Sequence, residues 1–395
     1  MIRRKNKMEE NEKSSAQKKP SDLVGQLSGF IRGASGIVHH KESEGVRSFV
    51  WGLLARALNL GASDIFLSSG EKPSCRVDGK TIFFDDEAVL KSHILRQYLF
   101  KVMNEYHRTQ LFENLEHDFS ISVKNYRFRV NAFSKKEGIS IVFRVIPTEI
   151  PTFEYLHLPE SIKKIANLQS GLALITGSVG SGKSTTLAAI LDLINKKDQK
   201  HIITLEDPIE FVHKSDKSLI EQREIGAHSK SFGNALRSAL REAPDVILVG
   251  ELRDLESIAL AITAAETGTL VLATLHCHGA TDAVNRLIDI FPAGQQNQVR
   301  TQLAQSLQAV VWQSLLPHKS GKGRVGVFEI LFRNYSVANL IRENKTYQLN
   351  SVIQTGQKEG MISVKNMVEY LVKNNEIDET VAAEYFSLID FEEEV

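Results

Sequence analysis

The residues best suited to chemistry sit in one stretch, GLALITGSVGSGKSTT, from Gly171 to Thr186. An apolar run (Leu172 to Ile175) ends at Thr176. The loop after it fits G-x-x-x-x-G-K-[ST] from Gly177 to Ser184, with Gly180 inside it. Gly177, Gly180 and Gly182 let the backbone turn tightly, so that amide N–H groups along Ser178, Val179 and Ser181 converge on phosphate oxygens. Lys183, Ser184 and Thr185 open a helix-like segment, LAAILDLI. A helix start adds unpaired N–H groups and the positive end of a dipole. Lys183 supplies a point charge to β- and γ-phosphates, and the Ser184 hydroxyl suits Mg²⁺. A flexible Gly/Ser loop would share the composition but not the strand–loop–helix context.

Such a loop needs a sheet behind it. After it, strand-like and helix-like segments alternate, which predicts a parallel sheet with helical crossovers over 161–330. The expected strands are 172–176, 201–205, 245–249 and 270–275. In an open parallel sheet, ligands bind beyond the carboxyl ends of the strands. There the second strand ends in Glu206-Asp207-Pro208-Ile209-Glu210, the third in Gly250-Glu251 and the fourth in His276. Glu251 follows an apolar run, as a Walker B acid does, and would orient or deprotonate an attacking water. Glu206, Asp207 and Glu210 either cap and bridge, or hold Mg²⁺ partly through water. His276 reads as a structural histidine or as a phosphate sensor. His276-Cys277-His278 lacks the further ligands that zinc requires.

A second source of charge precedes the loop. In YRFRVNAF, Tyr126, Phe128 and Val130 take one face of a strand, and Arg127, Arg129 and Asn131 the other. Arg144 sits in the following strand. These arginines either solvate an exposed sheet or reach phosphate bidentately, across a subunit boundary.

Around these elements the chain reads as five parts. Residues 1–45 are a polar extension or linker; SDLVGQLSGFIRG within them allows a short helix. Residues 46–146 form a mixed α/β module. Pro147, Pro151 and Pro159, three of the nine prolines, mark a linker over 147–160. The core that carries the glycine loop follows over 161–330, and 331–395 is helical. A long helix is expected from Gln295 to Leu315. Hydrophobic content is 42%, ample for a core, and Lys+Arg and Asp+Glu both number 48. Zero net charge offers no electrostatic footprint for nucleic acid. Cys75 and Cys277 form no paired motif, which excludes a disulfide scaffold and points to a reducing cytoplasm. No apolar run approaches the ~20 residues a membrane span needs.

GSVGSGKSTTLAAILD, ITLEDPIEFVH, QREIG, ALRSALREAPDVILVGELRDLESIALAITAAETG and ATLH resemble the secretion and pilus traffic ATPases, most of all the type IV pilus retraction ATPases. The resemblance runs from about Ala62 to Glu376. It implies an α/β architecture of a PAS-like N-terminal domain, a RecA-like P-loop core and a helical C-terminal region. It implies ATP and Mg²⁺ as ligands, a homo-hexameric ring and a platform protein of the inner membrane as partner, with peripheral membrane association through it. Carried over by motif, Gly177 to Thr185 would be Walker A, Glu206 to Glu210 the aspartate box, Gly250-Glu251 Walker B and His276 the second histidine of a histidine box. Arg129 and Arg144 fall where the family places trans-acting arginines. Two positions depart from the pattern: Thr269 stands where a histidine is usual, and Ser336-Val337-Ala338 replaces an Ala-Ile-Arg core. The competing expectations are a nucleotide-binding subunit that regulates a true motor, a related secretion ATPase, and a nucleic-acid motor.

Overall fold

The computed structural model describes residues 39–77, 79–146 and 149–393. Most of the N-terminal extension, with its SDLVGQLSGFIRG segment, and the linker positions Pro147 and Thr148 lie outside the described residues. The chain forms two compact units. One holds the described residues up to Val102 together with Lys136–Ile139; the other holds Met103–Lys135 and everything from Ser140 onward.

The first unit begins with α1 (His39–Asn59). Its helical stripe buries Val50, Leu53, Leu54 and Ala57, while Phe49 stays exposed. Gly61, at φ +74°, adopts the left-handed conformation that ends such a helix. Three antiparallel strands follow, β1 (Asp64–Ser68), β2 (Ser74–Val77) and β3 (Lys80–Phe83), then α2 (Ser92–Val102). Ile65, Leu67 and Cys75 from the sheet join Leu95 and Leu99 from α2 in the core.

The second unit opens with α3 (Glu105–Asn114), β4 (Glu116–Val123) and β5 (Tyr126–Lys135), and takes β6 (Gly138–Ile146) from Ser140 onward. β4 and β5 pair antiparallel along their whole lengths. Phe128, Val130 and Ala132 are fully buried on one face of β5, and Arg127 and Arg129 point to the other. A seven-stranded sheet follows, built from β7 (Gly171–Thr176), β8 (His201–Glu206), β9 (Leu219–Glu224), β10 (Val246–Val249), β11 (Leu270–Leu275), β12 (Leu307–Pro317) and β13 (Arg324–Phe332). Its order is β13-β12-β7-β11-β10-β8-β9, parallel throughout except for the antiparallel edge strand β13. β7, β10 and β11 are buried along their full length, as strands covered by helices on both faces must be. Each buried Val, Ile or Leu there contributes about 1.5–3 kcal/mol by leaving water.

The connecting helices are α4 (Lys183–Lys197), α5 (Phe232–Ala239), α6 (Leu255–Glu266), α7 (Ala280–Asp289) and α8 (Ala293–Ser306). The C-terminal region is helical, with α9 (Tyr335–Arg342), α10 (Leu349–Thr355), α11 (Val364–Lys373) and α12 (Glu379–Glu393).

The long helix expected from Gln295 to Leu315 is corrected. α8 stops at Ser306, and Leu307 starts a strand that pairs with β7. Val299, Leu303 and Leu307 have helical spacing, but Val310, Val311 and Trp312 form a continuous apolar run. Periodicity cannot separate such a run from a buried strand, and β-branched residues favour the strand. The edge strand β9 was also illegible, because LIEQRE carries little apolar signal. Among the described residues no helix is long and apolar enough to cross a membrane.

Candidate functional site

β7 runs straight into the glycine loop, and α4 begins at Lys183 with Gly182 as its N-cap. No side chain caps that helix start, so its first amides stay available to an anion. Gly177 and Gly182 have φ of +142° and +90°. Gly177 has a further constraint. A Cβ there would lie 2.2 Å from the carbonyl oxygen of Gln313. Ser178, Val179 and Gly180 are exposed at the loop tip, Ser181 is buried, and Ser184 and Thr185 are half-buried.

Lys183 is 8% exposed. Its Nζ donates to the carbonyls of Gly177 (2.9 Å) and Ser178 (2.8 Å), inside the curl of the loop. Burial lowers its pKa, against the pull of Glu251 and Glu210. His276 Nδ1 is 3.5 Å away. A lysine ammonium only donates, so this contact makes Nδ1 the acceptor and leaves Nε2–H facing Glu251. The Nε2–Oε1 distance is 3.4 Å. The loop lysine, the strand-end histidine and the strand-end glutamate therefore form one chain of contacts at the carboxyl edge of the sheet.

Glu251 is held there by packing at Gly250. A Cβ at Gly250 would sit 3.2 Å from the Leu205 carbonyl oxygen and 3.3 Å from Glu206 Cα, so glycine lets the ends of β10 and β8 close together. The Thr274 hydroxyl donates to the Gly250 carbonyl. Arg253 closes on Glu251 Oε2 at 2.7 Å. Burial works to raise the Glu251 carboxyl, but Arg253, then His276 and Lys183, outweigh it and hold it below the usual carboxylate range.

The carboxylates of the 206–210 turn divide. Glu206 accepts from the Thr204 hydroxyl (2.6 Å), the Gln222 amide (3.1 Å) and the Glu210 backbone (3.3 Å). Burial pushes its carboxyl up against these donors. Both of its oxygens are occupied in shaping the 206–210 turn. Glu210 is exposed, and its charge acts on Lys183 and Arg129. Among the described residues no group of three or more His, Cys, Asp or Glu could hold a metal. Burial pushes the Cys277 thiol up to about 11, which leaves it inert at neutral pH.

The arginines also divide. Arg129 is paired with Asp118 through Nε (2.8 Å) and a terminal nitrogen (2.5 Å). That pair lines a cleft of ≈ 290 Å³ together with Asp207, Glu224 and Arg253. Arg253 thus faces both the cleft and Glu251. Arg144 lies exposed on β6. Thr269 is at the amino end of β11 and His276 just past its carboxyl end, on the order of 20 Å apart at the rise of a strand. A side chain at Thr269 and His276 cannot meet on one phosphate within a chain. Ala338 is buried on α9.

Sequence reasoning missed Arg253, Glu224 and Asp118. Arg253 had a faint signal, two residues after Glu251. Glu224 and Asp118 had none, since their partners Arg127 and Arg129 are identified only by strand pairing and sheet packing.

The model of the family described as Type II/IV secretion system protein matches residues 39–384. The "Twitching motility protein" of Neisseria gonorrhoeae is 54% identical over 273 residues, which is 69% of this chain and 73% of that protein. The "Type IV pilus retractation ATPase PilT" of Pseudomonas aeruginosa is 46% identical over 333 residues, 84% of this chain and 96% of that one. Among solved structures, the "Crystal Structure of the Pilus Retraction Motor PilT and Bound ADP" superposes with a TM-score of 0.78 at 44% identity, covering 84% of this chain and 95% of that chain. A glycine loop with its lysine, glutamate and histidine in contact at the sheet edge, and a family match over nearly all the described residues, lead to one conclusion: this chain belongs to the Type II/IV secretion system protein family.

Proposed function

We propose that the chain is an ATP-hydrolysing motor subunit of the type IV pilus retraction kind. In this reading it works in a homo-hexameric ring at the cytoplasmic face of the inner membrane and acts on a pilus platform protein. The observation that carries it is the Lys183–His276–Glu251 contact chain beside the glycine loop. The 161–330 segment would be the RecA-like core, with a PAS-like module over 46–146, a linker over 147–160 and helices over 331–395.

The residues divide the work. Lys183 exchanges the Gly177 and Ser178 carbonyls for the β- and γ-phosphates, a swap its position inside the loop makes short. Glu251 is ionised at neutral pH, so it accepts a hydrogen bond from the attacking water. A carboxylate held below its usual range is a weaker base, and its main action is to orient the water. His276, with Nε2–H toward Glu251, links that carboxylate to the lysine. Mg²⁺ fits the Ser184 hydroxyl and Glu210, because it favours few protein ligands and several waters. Bound there, it would supply charge neutralisation to the phosphates. Glu206, its oxygens already engaged, shapes the turn that presents Glu210.

The test separates binding from turnover. Lys183→Ala should abolish ATP hydrolysis. Glu251→Gln should keep ADP and ATP binding while lowering turnover by about 10²-fold or more. Wild-type turnover in Lys183→Ala, or an unmodified chain with no ATPase activity, would defeat the reading; the second result would favour a regulatory subunit.

A further inference from the structure

The β12–β7 ladder ends at the Trp312–Thr176 pair. The next residue of β12 is Gln313, which therefore emerges beside the glycine loop. It touches that loop at both ends. Its main-chain carbonyl is what a Cβ at Gly177 would strike, and its side-chain nitrogen lies 3.1 Å from where a Cβ at Gly182 would be. The side-chain amide donates to the Ser181 carbonyl at 2.6 Å, across 132 residues of chain.

The amide is 2% exposed, yet only half of it is satisfied. Gln313 Oε1 and Ser181 Oγ are both buried without a hydrogen-bond partner. A buried acceptor left unpaired costs stability, and an apolar side chain of the same shape would avoid that cost. The residue is therefore a poor choice for packing alone. Its nitrogen explains it better. A trans peptide points its C=O and N–H in opposite directions. Pinning the Ser181 carbonyl toward β12 turns the Gly182 N–H away from β12, to the open side of the loop.

We propose that Gln313 is a positioning residue for the nucleotide. Its side-chain amide and main-chain carbonyl hold the loop from Gly177 to Gly182 in the shape that presents backbone N–H groups to phosphate. This rests on the ATPase reading above and deepens it, by making the loop's shape depend on the C-terminal strand β12.

The test uses Gln313→Met, close in shape but without the donor, and Gln313→Asn, which keeps a shorter amide. Each is compared with the unmodified chain for melting temperature without nucleotide, affinity for a fluorescent ADP analogue, and KM and kcat for ATP. Gln313→Met should melt close to the unmodified chain, since losing the unpaired Oε1 offsets the hydrogen bond lost at the Ser181 carbonyl. It should bind ADP about tenfold more weakly, the effect of one lost hydrogen bond on a binding loop. KM should rise more than kcat falls, and Gln313→Asn should recover part of the affinity. Unchanged ADP affinity in Gln313→Met would overturn the proposal. So would a loss of affinity matched by a lower melting temperature, since that is what a packing role predicts. If the unmodified chain itself fails to bind ADP, the nucleotide reading falls and this proposal with it.

Discussion

Replacing Arg127 by methionine tests how the β4–β5 sheet is tied to the 206–210 turn. Glu224, at the end of β9, is 4% exposed in its side chain, and Arg127 is 16% exposed. Glu224 Oε2 accepts from Arg127 (2.6 Å), from the Ser120 hydroxyl (2.7 Å) and from the backbone N–H of Ile209 (3.1 Å). Removing one member of a buried ion pair costs about 3–5 kcal/mol, because the other charge stays buried. Arg127 is the more exposed partner, so Arg127→Met, which leaves the Glu224 charge buried, should cost about 4 kcal/mol, and Glu224→Met about 3 kcal/mol. The double variant removes both charges. It still strands the Ser120 hydroxyl and the Ile209 amide, so it should cost about 2 kcal/mol. The coupling is then about 5 kcal/mol, well above the experimental scatter of a double-mutant cycle. Urea denaturation of the four proteins measures it. Turnover gives an independent readout. Ile209 precedes Glu210, and its amide keeps its acceptor in Arg127→Met but loses it in Glu224→Met. ATP hydrolysis should therefore fall further in Glu224→Met than in Arg127→Met, although the latter is less stable. A double variant whose cost equals the two single costs combined would refute the reasoning, as would equal turnover in the two single variants.

Two further outcomes follow from the same geometry. His107, packed against His117 and Phe119, is lowered from 6.5 to about 4 by burial and then by His117, and burial also lowers His213 to about 4. Between about 4 and 6.5 the folded chain binds fewer protons than the unfolded chain, so stability should fall as pH drops through that window. His107→Phe should flatten that slope in acid titrations of the urea midpoint, and an unchanged slope would count against it. If Arg144 serves a neighbouring subunit's nucleotide, Arg144→Ala should lower turnover, and mixing it with Lys183→Ala subunits should partly restore it. Steady-state ATPase rates across mixing ratios, with ring formation followed by light scattering, check this; a fully active monomer would refute it.

The glycine loop was legible from the chain alone because its chemistry is local. Left-handed turns, a lysine and a helix start must follow one another at set spacing, and Gly177 to Ser184 carries that spacing openly. The central strands were legible for a related reason. VILV at Val246–Val249 is apolar throughout, as burial on both faces demands. Glu251 and His276 could be nominated because each ends such a strand. Which way each side chain is held was a different matter. Arg253 on Glu251, Glu206 turned inward to Thr204 and Gln222, and Arg127 on Glu224 depend on how separate segments pack. Gln313 marks the limit most clearly. Its spacing suits a helix, and only the pairing of β12 with β7 makes it a strand residue beside the loop. Contacts across 97 and 132 residues leave no spacing in the chain, because they are set by strand order and register rather than by any run of neighbours.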